Sequence, residues 1–211
     1  MKRAEIVALL LTLIVLTATQ AVADTIDSYT TRQSLVTSAK RNNSSIVVAP
    51  EALGGKRRAA LILFDEGPLS LTIGGGQAAY QLVGSGSQGA QIGWLWYVDP
   101  SAPVKPVDLT SGGKLDAFQI DVLGLTEPVV IQIDALDADN HFDSVMMIVD
   151  KLGPQIYDFS SFISPRSPVK IDFKRIIGLQ VELDLHNRKG GSLKLGPLQT
   201  IRRPASPGAK K

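Results

Sequence analysis

The sequence predicts an all-β fold, an antiparallel β-sandwich or jelly roll of the galactose-binding-domain-like kind. Short apolar segments with period-two alternation recur along the chain, turns rich in glycine and proline separate them, and no long segment has helical periodicity. Strands of this kind each turn one apolar face to a shared core, which is typical of sandwiches. A chain of 211 residues is long enough for one such domain behind an N-terminal leader.

The N-terminus predicts export to the periplasm or the cell exterior. Lys2 and Arg3 precede an apolar run that is short for a membrane span, and Ala21-Val22-Ala23 has the small-x-small form read by signal peptidase. We expect residues 1–23 to be a signal peptide cleaved before Asp24, with no stable membrane insertion afterwards. A single membrane anchor is the alternative. The chain contains no cysteine, so the exported protein relies on its apolar core and not on disulfides.

Three regions follow the leader. Residues 24–45 form a polar N-terminal segment, residues 46–201 a single β-sandwich domain, and residues 202–211 a basic tail that we expect to be disordered. The body from Asp24 to Ile201 carries 16 basic and 19 acidic residues. Because it has no basic face with interleaved aromatic residues, we expect no binding to nucleic acid.

The strands are predicted from alternation and from apolar runs between turns. The alternation of Leu179, Val181, Leu183 and Leu185 with polar residues is the clearest case. Between Leu115 and Asp150 three strands in succession are expected to form a meander with one buried face. The complete set of predicted strands is 45–49, 59–64, 69–73, 80–82, 92–98, 118–122, 131–133, 145–149, 156–162, 169–173, 179–185 and 193–201.

Several short motifs resemble a known group of secreted proteins. Leu53-Gly54-Gly55-Lys56-Arg57, Val107-Asp108-Leu109-Thr110 and Asp116-Ala117-Phe118 resemble secreted bacterial proteins associated with PEP-CTERM sorting. The segments Val169 to Leu179 and Leu198 to Ile201 are similar to the closing strands of galactose-binding-like jelly rolls. The resemblance implies a jelly-roll fold, on which functions vary widely. The end of the chain departs from the pattern, because the sorting tripeptide and the C-terminal apolar helix are absent.

No catalytic residue can be assigned from the sequence. The chain has no G-x-S-x-G motif, and its two histidines, His141 and His186, lie in or beside predicted turns without a supporting nucleophile motif. A glycosidase is the enzymatic alternative, since its pair of carboxylates would have no local signature. We expect a protein that is not an enzyme.

The first candidate ligand site is aromatic. Trp94, Trp96 and Tyr97 lie on a predicted strand, where the side chains of residues two apart share a face. Two indole rings at that spacing could stack on adjacent sugar rings of a polysaccharide or cell-surface glycan. The alternative is that these tryptophans pack in the core.

The second candidate site is the acidic turn of Asp137, Asp139, Asn140 and Asp143, whose oxygens are of the kind that calcium takes. The turn is not an EF-hand, because His141 stands at the fifth position and Ile148 at the twelfth. No other cofactor is expected, and a turn without metal is the alternative. The sequence thus predicts an exported binding or matrix-interaction module with carbohydrate as the leading ligand. A structural envelope protein without a small ligand is the second interpretation.

Overall fold

Two antiparallel sheets make up the fold in a computed structural model that describes residues 23–37, 42–63, 68–86, 88–94, 105–164, 168–184 and 188–203. The first six strands are β1 (Ala23–Asp27), β2 (Gln33–Thr37), β3 (Asn43–Val48), β4 (Lys56–Leu63), β5 (Leu69–Gly74) and β6 (Gln77–Gly86). The others are β7 (Gln88–Trp94), β8 (Ala117–Leu125), β9 (Val129–Asp137), β10 (Phe142–Val149), β11 (Gly153–Asp158), β12 (Ile176–Asp184) and β13 (Arg188–Ile201).

Strand order places sequence-distant strands side by side. One sheet has the order β11-β8-β13-β6-β5-β2, with β1 pairing the end of β13, and the other has the order β10-β9-β12-β7-β4-β3. Every pairing is antiparallel, and the predicted all-β antiparallel sandwich is confirmed. Within the described ranges no helix is long and apolar enough to cross a membrane.

The core lies between the two sheets and is built by alternation along each strand. In β2 the side chains of Gln33, Leu35 and Thr37 are buried while those between them are exposed. At one end of the core the rings of Phe159 and Phe173 stack at 4.1 Å between centroids. The fully buried side chains include Leu61, Leu71, Ile120, Ile131, Ile133, Leu179, Leu183 and Leu195.

A buried ion pair joins the two sheets. Arg57 of β4 and Asp27 of β1 are both fully buried, and Arg57 Nη1 donates to the two Asp27 carboxylate oxygens at 3.0 and 2.8 Å. Arg57 Nε donates to Gln33 Oε1 at 3.0 Å, and Nη2 donates to the Thr31 carbonyl at 2.6 Å. All three guanidinium nitrogens therefore have acceptors from the N-terminal segment, which offsets the cost of burying the charge.

Several strand predictions need correction. The meander between Leu115 and Asp150 is wrong: β9 pairs with β10, but β8 belongs to the opposite sheet. Alternation places a strand's apolar face but does not say which sheet receives the next strand. Residues 169–173 are not a strand, although Ile171 and Phe173 are buried, because their segment packs across the end of the core. The polar segment 24–45 supplies β1 and β2, so the sandwich begins earlier than expected.

We expect Arg57→Met to lower the free energy of unfolding by about 3–5 kcal/mol, because it leaves the Asp27 carboxylate buried without its charged partner. Urea unfolding at neutral pH measures the change. Arg203→Gln is the matched control, since Arg203 pairs with Asp158 at 2.7 Å on the surface and its loss should cost no more than about 1 kcal/mol. Equal effects of the two substitutions would contradict a special role for the buried pair.

Candidate functional site

The outer face of the six-stranded sheet carries a line of polar positions across its strands. Ser144 pairs with Asp134, Asp134 with Gln180, Gln180 with Gly93, and Gly93 with Arg58. We call these positions, four polar residues and Gly93, together with Gln132 beside Asp134 on β9, the polar row. Neighbouring strands lie about 4.8 Å apart, so Arg58 is roughly 14 Å from Asp134 across three strand spacings. The row therefore places hydroxyl, carboxylate, amide and guanidinium groups along one direction of the sheet.

Asp134 is the centre of the hydrogen bonding in the polar row. Gln132 Nε2 donates to its Oδ1 at 2.7 Å, and Gln180 Nε2 donates to its Oδ2 at 3.2 Å. Asp134 is only 3% exposed. Burial, together with the charge of nearby Glu182, outweighs the two amide donors and raises the pKa of Asp134 to about 6. The carboxylate fixes the orientation of both amides, whose carbonyl oxygens are then directed away from it.

Apolar side chains flank this polar centre on the two edge strands. Met146 and Ile148 of β10 are 65% and 70% exposed, and Phe142 is also exposed. Ile46 and Val48 of β3 are exposed at the opposite edge. The apolar run 145–149 is therefore only half buried, because β10 is an edge strand whose alternate residues face outward. The face thus combines oriented hydrogen-bonding groups with apolar contact area.

The aromatic candidates lie elsewhere. Trp94 ends β7 and is paired in register with Arg57 and Leu179, whose side chains are buried between the sheets. The position of β7 that pairs with members of the polar row is Gly93 and not Trp94. Trp96 and Tyr97 lie outside the described residues. The aromatic site stays a prediction.

The acidic turn is held together by its own hydrogen bonds. Asp137 is buried, and its carboxylate accepts from the backbone N–H groups of Asp139, His141 and Asp172 at 2.9, 2.9 and 3.1 Å. His141 Nδ1 lies 2.9 Å from Asp137 Oδ2. Although burial alone would raise it, these donors hold the pKa of Asp137 below its ordinary value. The carboxylate oxygens of Asp137 therefore serve to shape the turn, in which Asn140 adopts a φ of 65°.

The other members of the turn are also engaged. Asp139 pairs with Arg175 at 2.7 Å on the surface, and buried Asp143 accepts from the Ile171 N–H at 3.2 Å. Asp143 Oδ1 has no hydrogen-bond partner among the described residues. In the part of the chain that the structure describes, no group of three or more histidines, aspartates or glutamates is arranged to hold a metal ion. Calcium at this turn stays a prediction.

Sequence reasoning missed the polar row. Gln132 and Asp134 on β9, and Gln180 and Glu182 on β12, occupy outward-facing positions of their strands. The pairing of β9 with β12 brings the two pairs together, and they are more than forty residues apart in sequence. The sequence shows that polar residues occupy alternate positions in both strands. It does not show that the two strands are neighbours or what their register is.

No protein-family model and no curated protein sequence matches the chain. Among solved structures, it is similar to the family 11 carbohydrate-binding module of cellulase Lic26A-Cel5E of Clostridium thermocellum, with 12% identity, a TM-score of 0.45, and coverage of 88% of this chain and 97% of that one. The agarase AgWH50C has 12% identity and a TM-score of 0.41, with 65% of this chain and 22% of the agarase covered. We draw no functional conclusion from these likenesses, and the fold class rests on the strands themselves.

Calcium binding at the acidic turn predicts a higher melting temperature in calcium than in chelator, because an ion that binds only the folded state stabilises it. Thermal unfolding of the protein in millimolar calcium and in excess chelator measures this. A melting temperature that does not move between the two conditions would remove the calcium prediction.

Asp134→Asn should stabilise the protein at pH 7 and not at pH 4. The folded pKa of about 6 lies above the ordinary value of 3.8, so stability from this group falls as the pH rises from about 4 to 6. Removing the charge should restore up to about 3 kcal/mol at pH 7, on the basis of about 1.4 kcal/mol per pKa unit. Urea unfolding at pH 4, 5.5 and 7 measures the difference, and a difference independent of pH would contradict the shift.

Proposed function

We propose that this chain is an exported, non-catalytic β-sandwich that binds carbohydrate on the outer face of its six-stranded sheet, around the polar row. The observation that carries the proposal is the amide–carboxylate cluster of Gln132, Asp134 and Gln180, held by hydrogen bonds of 2.7 and 3.2 Å on the face that turns away from the core. The N-terminal leader pattern supports export.

The chemistry of a sugar fits this face. A pyranose presents hydroxyl groups at its rim and apolar C–H groups on its ring faces, so it needs oriented donors and acceptors together with apolar contact. The partly exposed Gln132 amide, fixed by Asp134, supplies an oriented group, buried Gln180 holds Asp134 from the other side, and Arg58 and Glu182 add partly exposed polar groups. Phe142 and Met146 supply exposed apolar surface beside them. Binding sites for small ligands usually combine a few polar groups with a largely apolar surface.

Binding fits these residues better than hydrolysis. A glycosidase needs two carboxyl groups that reach the scissile bond, one of them as a proton donor. Asp134 has a raised pKa and Glu182 lies near it, but Asp134 is 3% exposed and both of its oxygens accept hydrogen bonds from glutamines. We therefore assign Asp134 to the positioning of the amides. A structural envelope protein without ligand is the rival that the binding experiment tests.

Binding to a panel of neutral glucans, galactans and xylans, measured by affinity gel electrophoresis and a glycan array, tests the proposal. We expect Gln132→Ala to weaken binding by about tenfold, because it removes a partly exposed hydrogen-bonding group of the site, and Gln180→Ala to weaken it less, because Gln180 is only 8% exposed. Gln119→Ala is the matched control: Gln119 Nε2 donates to Asp121 Oδ1 at 3.1 Å with the same two-residue spacing, on the other sheet.

Four outcomes would count against the proposal. Equal loss in Gln119→Ala and Gln132→Ala would mean that the effect is not local to this face. Loss only in Trp96→Ala would place the ligand at the predicted aromatic site, and absence of binding to every glycan would leave the structural interpretation. Release of reducing ends during incubation with the wild-type protein would favour the glycosidase.

A further inference from the structure

An open pocket of about 440 Å³ lies at the edge of the seven-stranded sheet, on the far side of the sandwich from the polar row. It is lined by Arg32, Ser34 and Thr72 together with the glycines of the β5–β6 turn. Ser34 and Thr72 are directly paired across β2 and β5, and both are exposed. The pocket therefore presents a guanidinium and two hydroxyl groups to solvent in one place. We call it the Arg32 pocket.

The glycine turn determines where the Arg32 side chain can lie. Gly75 and Gly76 have φ values of 63° and 84°, the positive values that a tight two-residue hairpin turn requires at both central positions. A Cβ atom added to Gly74 would stand 3.1 Å from Arg32 Cγ, so the aliphatic part of Arg32 packs directly on the Gly74 backbone. At Gly75 an added Cβ would meet nothing within 4 Å. The aliphatic part of Arg32 is thus held against Gly74, and the space beside Gly75 is unfilled.

Among the residues that the structure describes, the Arg32 guanidinium has no protein partner. None of the ion pairs and hydrogen bonds of the described residues engages its side chain, in contrast to Arg57, Arg175 and Arg203. Glu51, the acid bound to the neighbouring Thr31, accepts from the Thr31 N–H and hydroxyl at 2.6 and 2.7 Å. A seated guanidinium without a carboxylate partner, beside two hydroxyl groups, has the chemistry of an oxyanion site.

We propose that the Arg32 pocket binds the anionic group of an acidic sugar residue, a carboxylate or a sulfate. Arg32 donates two parallel N–H bonds to the oxyanion, and the hydroxyls of Ser34 and Thr72 bind its remaining oxygens or neighbouring sugar hydroxyls. The site lies on the other sheet from the polar row, so it stands whether or not that row binds neutral glycans. The body of the protein has a slight excess of acidic residues, so such affinity must come from this local arrangement and not from net charge.

The test measures binding of the wild-type protein and its variants to immobilised polygalacturonate, dextran sulfate and uncharged dextran. Arg32→Gln should weaken binding to an anionic polymer by at least about tenfold, the usual worth of a charge-assisted pair. Arg32→Lys keeps the charge but loses the two parallel N–H donors of the guanidinium, so its affinity should lie between those of Arg32→Gln and the wild-type protein. A loss confined to polygalacturonate identifies the carboxylate as the ligand group, a loss confined to dextran sulfate identifies the sulfate, and either supports the site.

Lys194→Gln is the matched control. Lys194 is exposed, and its stem packs on Gly124 of the same sheet, with its Cδ 3.4 Å from an added Cβ, much as Arg32 packs on Gly74. The substitution removes the same charge and should leave binding within about twofold. Equal losses in Arg32→Gln and Lys194→Gln, or no binding of the wild-type protein to either anionic polymer, would overturn the proposal. Gln180→Ala should leave anionic binding unchanged, which separates this site from the polar row.

Discussion

The guanidinium of Arg57 is the group on which the closure of the sandwich depends. It comes from the six-stranded sheet, yet its acceptors, Asp27, Gln33 and the Thr31 carbonyl, all come from the N-terminal segment of the other sheet. The buried cation is compensated only where these acceptors surround it, and all of them lie on one segment of the chain. The pair therefore ties β1 and β2 to β4. Because β2 carries Ser34 and directly follows Arg32, the ion pair also holds the strand that forms one wall of the Arg32 pocket.

The two proposed sites use polar groups in opposite ways. In the polar row the glutamine amides are already bound to the protein, so a ligand meets groups whose orientation is set and loses little entropy in ordering them. In the Arg32 pocket the stem packs on Gly74 and no described residue accepts from the guanidinium, so the ligand supplies the acceptor. The first arrangement suits neutral ligands with many weak contacts, and the second suits a single charged group. Both follow from side chains on outward-facing positions of strands whose inward-facing positions build the core.

Alternation in the sequence was enough to predict strands such as β12 and β9 and the fold class, but it missed β1 and β2 and wrongly predicted a strand at 169–173. It could not predict which strands are neighbours, because β8 and β9 follow each other in the chain but lie in different sheets. The sites depend on that missing information. Asp134 and Gln180 meet only through the register of β9 and β12, and Arg57 and Arg32 look alike in sequence although one is buried in an ion pair and the other is exposed. The local sequence pattern indicates which face of a strand a residue occupies. Which residues it contacts depends on how the strands pair in the folded protein.

The position of β13 has a consequence for how the chain folds. This strand is the last in sequence, yet it lies inside its sheet, between β8 and β6, and also pairs with β1. Until it is in place, β6-β5-β2 and β8-β11 are two separate pieces of sheet, each with an unpaired inner edge. Contacts between such distant parts of a chain form slowly, and open edges are prone to pair with other chains. A chain that lacks this strand could therefore not complete the sheet and would expose both inner edges to pairing with other chains.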